Sequence, residues 1–84
     1  MQAPDTKPGA YFVSALNGRS VALLAGPFRD DHAAALAAVD PVRREAEKVD
    51  PRAIWHAFGT VRLDYDHPRA TTPGKLNHAA GLPL

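Results

Sequence analysis

Four histidines are the side chains best suited to proton transfer or metal binding: His32, His56, His67 and His78. None stands in the His-x₃-His spacing that places two ligands on one helix face, and no cysteine is present to complete a zinc site. Asp64, Asp66 and His67 could gather around a cation, but such residues are also typical of a polar turn after a strand. We therefore predict no metal site.

Nucleophilic and phosphate-binding motifs are equally scarce in the sequence. Ser14 and Ser20 are the only serines, and neither lies in a Gly-x-Ser-x-Gly motif. The stretch Gly74-Lys75-Leu76 lacks the upstream glycine and the following Ser or Thr of a phosphate-binding loop. The sequence thus predicts no catalytic residues, no cofactor and no enzymatic activity.

A basic group is the candidate for nucleic-acid binding: Arg43, Arg44, Lys48 and Arg52. Acidic neighbours dilute it, and the formal net charge of the chain is only +1. Such a balance predicts no strong general attraction to nucleic acid or to an anionic membrane. A nucleic-acid-binding module that uses these four residues is kept as the alternative function.

A β-hairpin is predicted at residues 10–25, AYFVSALNGRSVALLA. Asn17-Gly18 is the residue pair that best tolerates a two-residue turn, which would pair Leu16 with Arg19 and Phe12 with Leu23. Side chains alternate between the two faces of a strand, and here both faces are largely apolar. One face carries Phe12, Ser14, Leu16, Val21 and Leu23, and the other carries Tyr11, Val13, Ala15, Ala22 and Leu24.

Residues 32–49 have the three- and four-residue apolar spacing of an amphipathic helix. Asp30 or Asp31 can cap its start, and Asp50-Pro51 ends it, since a residue before proline is disfavoured in the α conformation. Pro41 predicts a kink, or a break with Asp40 as a second N-cap.

The third predicted strand is Ala53–Leu63, with a bulge at Gly59. A right-handed crossover from the second strand then gives the sheet order 2-1-3. We predict an α+β fold of ββαβ architecture, with the kinked helix over one face of the sheet. Its three parts would be a flexible arm (residues 1–9), the ββαβ domain (10–63) and a weakly ordered tail (64–84).

The apolar face that the helix leaves uncovered is the predicted binding surface. If the helix covers the face with Ile54 and Phe58, Trp55 emerges on the other side beside part of the hairpin. Exposed apolar patches centred on tryptophan and tyrosine are typical of protein contacts. The predicted contact residues are Tyr11, Val13, Leu24 and Trp55, and we expect a homodimer through this face. The alternative is that Phe28 and the tail cover it.

The composition of the chain indicates the cellular compartment in which it is found. Of its 84 residues, 45% are hydrophobic and 23% charged, which is typical of a globular domain. With no cysteine there is no disulfide framework, so a reducing compartment is suitable. MQAPDTKPGA has no apolar segment typical of a signal peptide, and no stretch has the length and apolarity of a membrane span. We expect a cytosolic protein.

Residues 10–63 resemble small uncharacterised proteins encoded by proteobacterial phages, prophages and related mobile elements. The residues that carry the resemblance are Tyr11–Ser14, Leu23–Phe28, Val49–Ala53 and Ala57–Arg62. It implies a small protein that acts stoichiometrically on a host protein, as inhibitors of host defence such as anti-CRISPR proteins do. A shorter similarity, in Leu24–Phe28 with Ala33 and Leu36, is to peptidoglycan-binding SPOR domains, but only one such unit is present.

Overall fold

The computed structural model describes residues 3–82 and confirms a small α+β fold. Three antiparallel strands form one sheet in the predicted order β2-β1-β3. The elements, in chain order, are β1 (Ala10–Asn17), β2 (Ser20–Arg29), α1 (His32–Val49), a 3₁₀ helix (Pro51–Trp55) and β3 (Ala57–Leu63).

The hairpin forms, but its turn lies one residue later than predicted. Asn17 pairs with Ser20 and Leu16 with Val21, so Gly18 and Arg19 form the loop. Gly18 has φ 61°, and a glycine with positive φ at the first loop position is typical of a type II′ turn. The partner of Leu16 is thus two residues away from the predicted one. Because side chains alternate with a period of two, the two faces keep their predicted composition near the turn.

β2 carries two irregularities that the sequence pattern did not predict. Val13 pairs with Ala25 and Ser14 with Leu23, which leaves Leu24 as an extra residue. A second irregularity contains the cis peptide bond between Gly26 and Pro27. The first bulge lets Leu24 and Ala25 both join the core beneath α1.

α1 has the predicted bounds. The Asp31 carboxylate accepts a hydrogen bond from the Ala34 N–H at 3.0 Å, and the helix ends before Asp50-Pro51. It continues through Pro41, so of the two alternatives, a kink or a break with Asp40 as a second N-cap, the break is wrong. Pro41 deprives only the Ala37 carbonyl of its amide partner, and Ala37 is exposed, so water can replace that bond.

The face beneath α1 is the one that carries Tyr11 and Val13. β1 and β3 pair in unbroken register with Ala15 opposite Phe58, and opposite residues share a face. α1 covers the Phe58 face, as predicted, and therefore also buries Tyr11, Val13 and Leu24. The prediction that these three residues lie on an uncovered face is wrong. The buried cluster under α1 comprises Tyr11, Val13, Ala15, Leu24, Ala25, Phe28, Ala35, Ala38 and Val42.

β3 is shorter than predicted and has no bulge. Its register with β1 is continuous from Ala57 to Leu63, so the bulge at Gly59 is wrong. Residues 53–55, predicted as strand, belong instead to the 3₁₀ helix, whose start the Asp50 carboxylate caps by accepting from the Arg52 N–H at 3.0 Å. Trp55 therefore lies outside the sheet.

The C-terminal segment packs on β2. The N–H groups of Gly74 and Leu76 donate to the carbonyls of Gly26 and Leu24, at 3.0 and 2.6 Å. Gly74 is required here, since a Cβ would stand 2.4 Å from the Ala25 Cα. The buried Asn77 amide accepts from the Gly26 N–H at 2.8 Å and donates to the Gly26 carbonyl at 2.6 Å. The outer edge of β2 is thus covered by the chain itself between Leu23 and Gly26.

The opposite face of the sheet is covered at one end only. Ala70, in the turns that follow β3, is buried against Phe12 and Leu23. Nearer the hairpin turn, Leu16 and Val21 stay exposed. The tail therefore covers part of this second face.

Asn77→Ala tests the position of the C-terminal segment. The substitution leaves the buried Gly26 N–H and carbonyl without side-chain partners, so we expect the free energy of unfolding to fall by about 1–3 kcal/mol. Urea denaturation measures it, with the exposed neighbour His78→Ala as the control. Equal stability of the two variants would mean that the segment does not hold β2 in solution.

Candidate functional site

Three large apolar side chains are exposed together where α1 passes into the 3₁₀ helix. The exposed fractions are 75% for Val49, 60% for Ile54 and 83% for Trp55. We call these three residues the Trp55 patch. Isolated exposed apolar residues are ordinary, but a tryptophan and two branched aliphatic residues all exposed within one seven-residue stretch are not.

The local sequence explains why these residues point outward. Asp50 and Pro51 end α1, and the 3₁₀ helix that follows buries only Ala53. Ile54 and Trp55, next in the chain, are left on its outer side. The short helix is fixed at its start by Asp50, whose pKa is lowered because the Arg52 side chain and backbone N–H both donate to its carboxylate.

Two grooves adjoin this patch. The first is largely apolar, measures about 390 Å³ and has Val49 and Asp50 in its wall. Its other lining residues are Ala15, Ala22, Leu24, Ala46, Ala53, His56, Phe58, Lys75 and Leu76. The second measures about 450 Å³ and is lined by Asn17, Asp50, Arg52, Trp55 and His56. Asp50 and His56 belong to both, so the two grooves are neighbours, with Trp55 beside them.

The four predicted contact residues do not lie on one exposed surface. Trp55 is exposed, whereas Tyr11 and Val13 are at most 2% exposed and Leu24 only 8%. The latter three therefore cannot form a surface for a partner while α1 stays in place. Leu24 reaches solvent only as part of the wall of the first groove.

The sequence pattern predicts a buried position for the other two patch residues, Val49 and Ile54. Val49 continues the apolar stripe of α1, and Ile54 alternates with Phe58 as if both lay in one strand. The only signal for the true arrangement is Asp50-Pro51, which can start a new helical turn as readily as it can end a helix.

The basic residues of the alternative function lie on or next to α1. Arg43 and Arg44 are exposed. Lys48 pairs with Glu45 at 3.0 Å and Arg52 with Asp50 at 3.1 Å, so two of the four cations have an acidic partner. The net positive charge around these four residues is therefore smaller than the four basic side chains alone would give.

His32 has a structural environment. It is 6% exposed and stacks on Tyr11, with ring centroids 4.8 Å apart. Its Nδ1 accepts from the Asp5 N–H at 2.7 Å, and its Nε2 lies 2.8 Å from the Thr60 hydroxyl. With both nitrogens engaged, the ring ties the N-terminal arm to α1 and β3.

The predicted polar turn after β3 holds Asp64, which accepts from the Arg62 guanidinium at 2.6 Å. His67 donates its backbone N–H to the Asp64 carbonyl at 2.9 Å. Within residues 3–82, no three histidine, cysteine or acidic side chains come close enough to hold a metal ion.

Asp30 joins the N-terminal arm to the turn after β3. Its carboxylate accepts from the Gly9 N–H at 2.9 Å and from the Tyr65 hydroxyl, and its own N–H donates to the Gly9 carbonyl at 2.8 Å. The Arg29 guanidinium lies 4.8 Å from the centre of the Tyr65 ring. The hydrogen bond from Tyr65, followed by that from Gly9, lowers the pKa of Asp30.

Comparison of the chain with protein-family models, with curated proteins and with solved structures found no match. In the part of the chain that the structure describes, no helix combines the length and apolarity needed to cross a membrane.

The Asp30 contacts predict an acid-dependent loss of stability. A carboxyl whose pKa is lower folded than unfolded stabilises the fold above its ordinary value of 3.8, and this stabilisation is lost as the pH falls through the folded pKa. Tyr65→Phe removes the main cause of the shift, so we expect a shallower fall in unfolding free energy below pH 4 than in the unaltered protein.

The control for this measurement is Tyr11→Phe, which removes the hydroxyl bond to the Lys7 carbonyl at 2.7 Å and no bond to Asp30. We expect it to lower stability by a similar amount at each pH. Identical acid profiles for Tyr65→Phe and the unaltered protein would contradict the role given to Asp30.

Proposed function

We propose that this chain is a non-enzymatic protein-binding module and that the Trp55 patch is its contact surface. The observation that carries the proposal is the 83% exposure of Trp55 beside the exposed Val49 and Ile54. Tryptophan and arginine are the residues most enriched among energetically dominant interface contacts, and Arg52 lines the same groove as Trp55.

The shape of this surface indicates the chemistry of its partner. Trp55 projects from the surface and needs an apolar pocket on the other protein. The apolar groove next to it can take one aliphatic or aromatic side chain in return. Asp50, His56 and Lys75 lie among its lining residues and supply polar contacts around that side chain. The partner is therefore a folded protein with both a pocket and a projecting apolar residue.

We further propose that the partner is a host-cell protein and that the chain comes from a phage or another mobile element. The support is the resemblance of residues 10–63 to such proteins, which implies stoichiometric inhibition, of host defence among other targets, in the manner of anti-CRISPR proteins. Work in the bacterial cytosol agrees with the absence of cysteine.

Nucleic-acid binding through Arg43, Arg44, Lys48 and Arg52 is the second candidate, favoured by the exposure of the first two. It is ranked lower because the other two are paired with acids. It requires binding to DNA or RNA that weakens steeply with salt, as expected when cations displace the counterions of phosphates.

Self-association is part of the proposal. The face once expected to mediate it lies under α1, so a homodimer must use another surface. The exposed Leu16 and Val21 are too few to form a dimer interface by themselves.

Trp55→Ala is the test of the contact surface. Because Trp55 is exposed, we expect the free energy of unfolding to change by no more than about 0.5 kcal/mol. Loss of a dominant contact costs about 2 kcal/mol or more, so affinity should fall by about thirtyfold or more. A partner captured from host lysate would be purified, identified and titrated with both variants by calorimetry.

Val21→Ala is the control, since Val21 is also an exposed apolar residue but lies in β2, on the face of the sheet away from α1. It should leave the affinity unchanged. If Trp55→Ala binds the purified partner as tightly as Val21→Ala does, the Trp55 patch is not the contact surface. If Trp55→Ala unfolds, Trp55 is part of the core.

A further inference from the structure

The two edges of the sheet are treated differently by the chain. Residues 74–77 cover the outer edge of β2 with backbone and side-chain hydrogen bonds. Nothing comparable covers β3: within residues 3–82, its only backbone hydrogen-bonding partner is β1. The outward N–H and C=O groups of Ala57–Leu63 are therefore free to pair with another strand.

β3 also lacks most of the devices that protect an open edge. Such strands usually carry proline, lysine or a bulge, or are very short. β3 has seven residues, contains neither proline nor lysine and keeps an unbroken register with β1. Its one charged residue is Arg62, whose guanidinium donates to the Pro8 carbonyl and to Asp64.

We propose that the partner of this edge is a second copy of the chain. The two β3 strands would pair antiparallel about a twofold axis at Thr60. A twofold axis at one residue fixes every other pair, since each residue then faces the one equally far on the other side of Thr60. This inference specifies the self-association proposed above, and it does not depend on the Trp55 patch.

The resulting pairs are complementary along the whole strand. Thr60 faces Thr60 of the other copy, and threonine pairs are favourable across strands. Small residues meet larger ones, with Gly59 opposite Val61 and Ala57 opposite Leu63. Phe58 faces Arg62, a combination that allows a cation–π contact. Just beyond the strand, His56 of each copy faces Asp64 of the other. No two like charges therefore meet at either end of the paired stretch.

Neighbouring twofold registers lack this complementarity. An axis at Gly59 moves Arg62 away from the Phe58 ring to a position opposite His56, and sets Phe58 opposite Thr60. An axis at Val61 sets Phe58 opposite Asp64, an apolar ring against a carboxylate. Of these three registers, only the axis at Thr60 gives every position a compatible partner, which is the argument for a second copy over an unrelated strand.

The dimer would have one continuous six-stranded sheet in the order β2-β1-β3-β3-β1-β2. Its two outermost strands are then both β2, whose edge is covered by residues 74–77 between Leu23 and Gly26. Pairing therefore uses the open β3 edge of both copies and leaves only the partly covered edges of β2 outermost. Trp55 lies outside the paired stretch, since β3 begins at Ala57.

Single cysteines test this register, because the natural chain contains none. In Thr60→Cys the two thiols face each other, and directly opposite Cβ atoms, about 4.5–5.5 Å apart, can be joined by a disulfide after a small adjustment. Oxidised glutathione should then double the mass of the main band on non-reducing electrophoresis. Val61→Cys is the control: its two copies lie diagonally, about 7–8 Å apart, and should remain uncrosslinked.

A mixed pair provides a variant that keeps the Thr60 hydroxyl bond to His32. Gly59→Cys and Val61→Cys should crosslink to each other and not to themselves, and a side chain at position 59 meets no atom within 4 Å. Light scattering of the unaltered chain across a concentration series should give twice the monomer mass.

Each outcome has a distinct meaning. A monomer at every concentration, or a dimer whose Thr60→Cys and mixed-cysteine samples both stay uncrosslinked, would overturn the proposal. Crosslinking of Val61→Cys to itself would place the axis elsewhere and also overturn it. Because none of these measurements involves the protein bound through Trp55, they leave the contact-surface test independent.

Discussion

The fold depends on one constraint: β1 is apolar on both faces and lies in the middle of the sheet. Every residue from Ala10 to Ala15 is buried. A strand of this kind cannot leave either face in water, so the chain must supply two covers. α1 is one of them. The turns around Ala70 are the other, which gives a role to part of the 21 residues without strong apolar periodicity that follow the last strand.

The sequence is sufficient to predict which helix and strands form, but not the register in which the strands pair. Local signals such as Asp31 before α1 and Asp50-Pro51 after it determine where the helix starts and stops, so its bounds could be predicted. Which residue of β3 lies opposite Ala15 is a tertiary property with no local signal. A difference of one residue there exchanges the faces, which is why Tyr11, Val13 and Leu24 were assigned to the surface.

The candidate site was only partly predictable for the same reason. Trp55 could be recognised by residue type, but its neighbours could not, because Asp50 starts a 3₁₀ helix where a strand was expected. That turn removes Ile54 and Trp55 from the sheet and leaves them exposed, as Val49 is at the end of α1. A surface of this kind arises from a short irregular connection, which sequence periodicity describes poorly.

The cover on β2 comes from the end of the chain, and this has a consequence during synthesis. β2 is complete at Arg29, whereas the residues that bond its edge begin at Gly74, 45 positions later. At bacterial and eukaryotic elongation rates of about 5–20 residues per second, that edge has no cover for about 2–9 s. During this period the nascent hairpin can pair with other strands through the open edge of β2. In a chain truncated before residue 74, that edge would stay open permanently.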